Sequence, residues 1–220
     1  MKFLTIITFI LSSVSWSQDY GKDLKQILEN FSTLESYSIK ANVSVAGEEK
    51  YAFKAAIKTC KYGSHVKADI SEMFINKKYA ISIDHEDKTI RVDKGDYTVK
   101  GKKGDDLGLE MIDQLINDNA SVEYIGKTDI YRTYVVYHNT SISKTIIKIN
   151  NKTNFFHEIE VFYESDDVSI SSYKVSYTEF KKNPKYKKAD FDESIVFTED
   201  ADGNLSPTDA YKGYLVIKQY

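Results

Sequence analysis

The stretch YAISIDHEDKTIRVDKG, Tyr79 to Gly95, places Asp84, His85, Glu86, Asp87 and Asp93 close together. Carboxylates and an imidazole at that density are the donor set of a metal centre or of acid–base catalysis. The surrounding pattern argues for a different use. Ile81, Ile83, Ile90 and Val92 alternate with polar residues on either side of the tip. Pairing Ile83 with Ile90 and Ile81 with Val92 makes a hairpin whose tip is His85-Glu86-Asp87-Lys88, with Glu86-Asp87 as its two-residue loop. In that register Asp84 opposes Thr89 and faces away from His85, so the cluster is split between two faces and a turn.

The other candidates for chemistry are sparse. No serine or cysteine sits in a G-x-S-x-G turn. His65, His85, His138 and His157 show neither H-x-H nor H-x-x-x-H spacing, and each is assigned a structural or surface role. An enzyme, for example a hydrolase, is the third reading, and two of the histidines converging with a carboxylate within metal-binding distance would revive it. The loop Gly101 to Gly104 lacks the spacing and the terminal Ser or Thr of a phosphate-binding loop and is expected to be a turn. The run KKNPKYKK, Lys181 to Lys188, is either a solvated loop or a face toward an anionic partner or lipid headgroup. The N-x-S/T tripeptides at Asn42 and Asn151 matter only in a eukaryotic secretory route. No catalytic residue, metal or cofactor is expected.

At the start of the chain, MKFLTIITFILSSVSWSQ has Lys2, an apolar run from Phe3 to Leu11, and then small residues. Residues 1–17 are expected to be a secretory signal peptide, cleaved near Ser17/Gln18. The run is too short to span a bilayer as a helix, and no later segment reaches roughly 18 apolar residues. Gln18 stands where a lipid anchor would need a cysteine. The expected product is residues 18–220, a single soluble periplasmic domain. The net charge is −3, and −4 once Lys2 is removed, which gives no global reason to expect nucleic acid. Cys60 is the only cysteine, so no internal disulfide forms and a buried thiol is expected.

Tyr20, Leu24, Ile27, Leu28 and Phe31 recur at helical spacing and predict one amphipathic helix. Period-two segments follow, with Ile39, Ala41, Val43 and Val45 in the first, Tyr51, Phe53, Ala55 and Ile57 in the next, and Val66, Ala68 and Ile70 in a third. At GKKGDDLGLEMIDQLINDN the period returns to helical through Leu109, Met111, Ile112, Leu115 and Ile116. After it, VEYIGKTD, YRTYVVYHN, SKTIIKIN, FFHEIEVFYES and VSISSYKVSYTEF alternate again. Beyond Phe180 mostly loop is expected, with a short strand and a last strand at Tyr214 to Ile217. About ten strands, each with one apolar face, make the fold mainly β (α+β), a curved antiparallel sheet forming an incomplete β-barrel. The N-terminal and mid-chain helices would form its lid and leave an apolar cavity.

The order of elements resembles that of the periplasmic outer-membrane lipoprotein carriers, the LolA-like proteins of Gram-negative bacteria. The resemblance lies in DLKQILENFSTLESYSIKANVSV, in the I-x-I-D-H-x-x-K-T-I-x-V hairpin, in IIKINNKTNFFHEIEVFY with its strand–turn–strand pattern, and in ADFDESIVFTED. It spans most of the chain after the leader. It implies a non-catalytic carrier that takes acyl chains of a lipid or lipoprotein into an apolar cavity, a chaperone-like role in sorting lipoproteins to the outer membrane. Inner- or outer-membrane transport proteins would be its partners and a monomer its form. The family's basic-proline segment corresponds here to KTCKYGSHVKADI, where Lys58 and Lys61 stand with neither arginine nor proline, so a bidentate arginine latch is missing. The ligand-lining set expected from the inward faces is Val43, Val45, Tyr51, Phe53, Ile81, Ile83, Ile90, Val92, Ile147, Ile149, Ile159, Val161, Val175 and Tyr177, with Leu109, Ile112, Leu115 and Ile116 from the lid. The alternative is a non-catalytic envelope scaffold or interaction protein with a filled core.

Overall fold

The computed structural model describes residues 20–48, 50–97, 120–164 and 169–220. The leader and the mid-chain helix, with Leu109, Ile112, Leu115 and Ile116, lie outside the described residues. A helix, α1, spans 20–32. It forms where expected because Tyr20, Leu24, Ile27 and Phe31 fall on one stripe, all buried, while Lys22, Lys25, Gln26 and Glu29 face solvent.

Fourteen strands follow among the described residues: β1 Ser36–Gly47, β2 Tyr51–Cys60, β3 Gly63–Ala68, β4 Ser71–Asn76, β5 Tyr79–Asp84, β6 Thr89–Lys94, β7 Ser121–Lys127, β8 Tyr131–Tyr137, β9 Ile142–Asn150, β10 Phe156–Tyr163, β11 Ile170–Lys182, β12 Phe197–Glu199, β13 Leu205–Pro207 and β14 Leu215–Lys218. Twelve of them form one sheet in the order β14-β6-β5-β4-β3-β2-β1-β11-β10-β9-β8-β7, and β12 pairs with β13 separately. The sheet is open, with β14 and β7 at its ends. Its hairpins are antiparallel; β14 joins β6 in parallel, because the chain reaches it through a long C-terminal excursion and not through a hairpin. The fold is thus mainly β, and the sheet does not close into a barrel. The C-terminal region expected to be mostly loop adds the β12–β13 hairpin and three short 3-10 turns, Lys188–Phe191, Glu193–Ile195 and Asp209–Tyr211.

The chain divides into two compact units, to which β1, β2 and β11 each contribute a part. In the first unit, pairing of β7 to β11 puts Tyr124, Tyr134, Ile147, Ile159 and Val175 on one face. Helix α1 packs on this face. Tyr20 meets Tyr134 at 5.2 Å between ring centroids, Phe31 meets Phe155 at 5.1 Å, and Asp23 accepts hydrogen bonds from Arg132 and from the Tyr134 hydroxyl at 2.7 Å. The opposite face is mixed, with Val135, Ile146 and Phe162 among charged residues. There Glu158 bridges Lys148 at 2.7 Å and Lys174 at 3.1 Å.

In the second unit, the β5–β6 hairpin has the expected register, Ile83 opposite Ile90, Ile81 opposite Val92 and Asp84 opposite Thr89. The tip is wider than a two-residue loop. Residues 85–88 form the turn, Lys88 takes a left-handed conformation with φ 50°, and Asp84 Oδ1 accepts from the amides of Glu86 and Asp87. Phe74, Tyr79, Ile81, Ile83, Ile90 and Val92 are packed against Val196, Phe197 and Tyr211 of the C-terminal excursion, with Leu205, Tyr214 and Val216 at the margin.

Candidate functional site

Register decides which apolar residues of the second unit share a face. Lys58 pairs with His65, His65 with Phe74 and Phe74 with Ile81. Ile57 pairs with Val66, Val66 with Met73 and Met73 with Ser82. Directly paired side chains project to the same side of a sheet. The filled core of Ile81, Ile83, Ile90 and Val92 is therefore on one side, and Ile57, Val66 and Met73, with Phe53 and Ala55 by alternation along β2, are on the other. This corrects the expectation of a single inward set. Tyr51 and Phe53 do not share a face with the hairpin residues. Ile70, expected to continue the third strand, lies in a turn and is exposed.

The strip so defined is only partly covered. Phe53, Ala55, Ile57 and Val66 are half-buried and Met73 is 42% exposed, whereas Ile90 and Val92, on the packed side, are at 0%. In the first unit the expected residues are graded in the same way. Val43, Val45, Ile147, Ile149 and Val161 are buried, while Ile159, Val175 and Tyr177 are half-buried on one face together with Tyr173. Tyr51 is exposed. Each unit thus carries a sheet face on which apolar and aromatic side chains remain partly open.

A polar cluster that sequence reading did not assemble lies on the packed side of β3 and β4. Glu72 is buried, 5% exposed, yet sits in a strand whose same-face neighbour is Phe74. Its Oε2 is 2.9 Å from His65 Nε2, and its Oε1 is 2.9 Å from Lys67 Nζ and 3.0 Å from His85 Nε2. His85 Nδ1 lies 2.8 Å from the Tyr214 hydroxyl, and His65 stacks on Phe74 at 3.8 Å. Burial alone would raise the Glu72 carboxyl, but hydrogen bonds from His65 and Lys67 outweigh it and hold the group at about 2. Burial pushes Tyr211 up to about 12, with Glu72 contributing.

Two histidines and a carboxylate do converge, but as direct hydrogen bonds. The imidazole nitrogens aimed at Glu72 donate to its oxygens and so have no lone pair for an ion. Among the described residues no group of three or more His, Cys, Asp or Glu side chains is arranged to hold a metal. The cluster ties the strap carrying Tyr211 and Tyr214 to β4 and the β5–β6 turn. The available signal was His65-x-Lys67 on one strand across from Glu72 on the next, a basic pair facing an acid inside an apolar alternation. Cys60 is buried, and burial pushes its thiol up, which is the inert form expected of it.

The fold and these faces define a mainly β protein with an open sheet, an amphipathic helix packed on it, and part of its apolar surface uncovered. No family model and no curated protein sequence matches the chain. Similar solved structures include an uncharacterized conserved protein from Thermus thermophilus, 10% identical over 89% of this chain and 98% of that one, with a TM-score of 0.48. Another is a LolA superfamily protein from Nitrosomonas europaea, 9% identical over 78% and 98%, with a TM-score of 0.35. A third is a putative outer membrane lipoprotein-sorting protein domain from Vibrio parahaemolyticus, 8% identical over 80% and 98%, with a TM-score of 0.34. Among the described residues, no helix is long and apolar enough to cross a membrane.

Proposed function

We propose that this protein is a non-catalytic carrier that holds the acyl chains of a lipid or lipoprotein on partly covered apolar sheet faces, in the space between two bacterial membranes. The observation that supports this reading is the sidedness of the second unit. Its own C-terminal excursion fills one face of the sheet, and on the opposite face Ala55, Ile57 and Val66 are half-buried and Met73 is exposed. Covering such a face with an acyl chain stabilises the complex by about 25 cal/mol per Å² of apolar area removed from water. Within the expected lining set, Phe53 in the second unit and Ile159, Val175 and Tyr177 in the first are the candidates for contact. Ile81, Ile83, Ile90 and Val92 belong to a packed core. They are the feature that favours the scaffold reading for that side of the sheet.

The test is native mass spectrometry of the chain from Gln18, before and after delipidation and re-exposure to a long-chain acyl phospholipid. Bound lipid in the untreated protein and recapture after delipidation are expected. The variant Ile57→Asp with Val66→Asp, which places charge on the open strip, should fail to recapture. Protein that is lipid-free as purified and captures nothing would leave the scaffold reading in possession.

A further inference from the structure

We propose that the loop Lys181–Lys188 is a rigid docking surface for an anionic phospholipid bilayer. It holds five lysines in eight residues of a chain whose net charge is −3. Lys182, Lys185, Lys187 and Lys188 are exposed, and among the described residues none of them has a carboxylate within ion-pair distance. The neighbouring acids each have a hydrogen-bond or ion-pair partner of their own. Glu179 pairs with Lys40 and Lys181 at 3.2 Å each, Asp190 accepts from the Lys187 amide at 2.8 Å, Asp192 accepts from the Ser194 amide at 3.1 Å, and Glu193 accepts from Asn76 Nδ2 at 2.8 Å. Lys181 is paired with Glu179 and Lys188 lies within the electrostatic reach of Asp192, but Lys182, Lys185, Lys187 and Lys188 present their ammonium groups to solvent without a direct ion pair among the described residues.

The backbone carrying these lysines is clamped at both ends. Asn183 takes a left-handed conformation, φ 51°, its amide donates to Ser36 O at 2.8 Å, and its side-chain oxygen accepts from the amide of Glu35 at 2.9 Å. Ser36 Oγ donates to Pro184 O at 2.7 Å. At the far end Phe191 is buried and its carbonyl accepts from Asn76 Nδ2 at 3.2 Å. Tyr186 lies half-buried between the lysines, edge-on to Phe191 at 5.5 Å. A fixed loop loses little freedom on docking. Its chemistry suits a bilayer better than a protein acid. The cations are all lysine, hydrated point charges on flexible stems, with no arginine fork to match individual carboxylates. A tyrosine among them is the residue type that sits at headgroup level. The two anionic classes, headgroups and acidic polypeptide, are separated by the test.

The surface is independent of the apolar strip, although delivery to or from a bilayer rests on the carrier reading. The experiment is cosedimentation of the chain from Gln18 with phosphatidylcholine vesicles, with and without about 30% phosphatidylglycerol, at low salt. Each lysine near an anionic surface contributes about fivefold in affinity. The triple variant Lys182→Gln, Lys185→Gln, Lys188→Gln should therefore bind phosphatidylglycerol vesicles about a hundredfold more weakly. A control, Lys22→Gln, Lys50→Gln, Lys127→Gln, removes the same charge from exposed positions outside the loop and should bind like the original. Lipid capture by mass spectrometry should be unchanged in the triple variant, so failure of docking and failure of the carrier reading are read separately. Equal binding to both vesicle types, an equal loss in the control, or retention on polyglutamate beads without vesicle binding would each overturn the proposal.

Discussion

Replacing Glu72 by Gln removes the negative charge on which the polar cluster is built, and the structure sets the size of the effect. The carboxylate is buried and takes hydrogen bonds from His65, Lys67 and His85 between 2.9 and 3.0 Å. Its folded-state value of about 2 stands against 4.5 for the free side chain. At about 1.36 kcal/mol per pH unit, that difference corresponds to about 3 kcal/mol of stability. The sign follows from the direction. A depressed carboxyl contributes fully above 4.5, and the contribution is lost as pH falls through 4.5 toward 2. Urea denaturation at pH 7 should show Glu72→Gln less stable by about 3 kcal/mol, an expectation of about 6–12 °C in Tm for a chain of this size. At about pH 3 the gap should shrink to less than half that, because the original protein has itself begun to lose the contribution. A gap under about 1 kcal/mol at pH 7, or one that does not narrow in acid, would refute the assignment of Glu72 as an ionised, hydrogen-bonded anchor.

Ile90→Ala, on the packed side, should cost about 2–5 kcal/mol in denaturation and leave lipid capture by the folded protein unchanged. Ile57→Asp should do the converse, lowering capture while changing stability by less than about 1 kcal/mol, since its site is half-open. Asp23→Ala leaves Arg132 and the Tyr134 hydroxyl without their shared acceptor. It should lower stability by about 2 kcal/mol and expose 20–32 to limited proteolysis first. Gly63→Ala would place a Cβ 2.3 Å from Ile75 O, a contact with backbone that cannot yield cheaply. It should destabilise by about 2 kcal/mol or more in thermal denaturation.

How much of this was legible in the sequence can be followed strand by strand. The alternation of Ile39, Ala41, Val43 and Val45 gave β1 its buried side, and each is buried as expected. The hairpin register through Ile81, Ile83, Ile90 and Val92 was legible because both strands are apolar on one face and a one-residue slip would put four large side chains into water. The stripe of α1 was legible from its spacing. The cluster at Glu72 was not, because His65 and His85 lie twenty positions apart and meet only through two successive hairpins. Nothing in single-strand periodicity reports contacts at that separation.

The side on which each hairpin is buried was equally hidden, and β4 shows why. In SEMFIN one face carries Glu72, Phe74 and Asn76, and the other Ser71, Met73 and Ile75. Neither face is decisively apolar, so pattern alone cannot carry the sidedness of the β2–β3 hairpin across to the β5–β6 hairpin. Pairing shows that the apolar side changes there. Before β4 it is the side of Ile57 and Val66, and after β4 that of Ile81 and Ile83. A sheet whose apolar side switches needs cover on both faces. The C-terminal excursion provides it for β5 and β6 through Val196, Phe197 and Tyr211. Glu72, the acid that the switch strands on the packed side, then takes hydrogen bonds from half-buried His65 and exposed Lys67, which removes the cost of burying its carboxylate unpaired. The same switch puts Ile57, Val66 and Met73 on the face opposite that cover, where they stay half-buried or exposed, and this makes the strip, rather than the hairpin core, the place to look for a ligand.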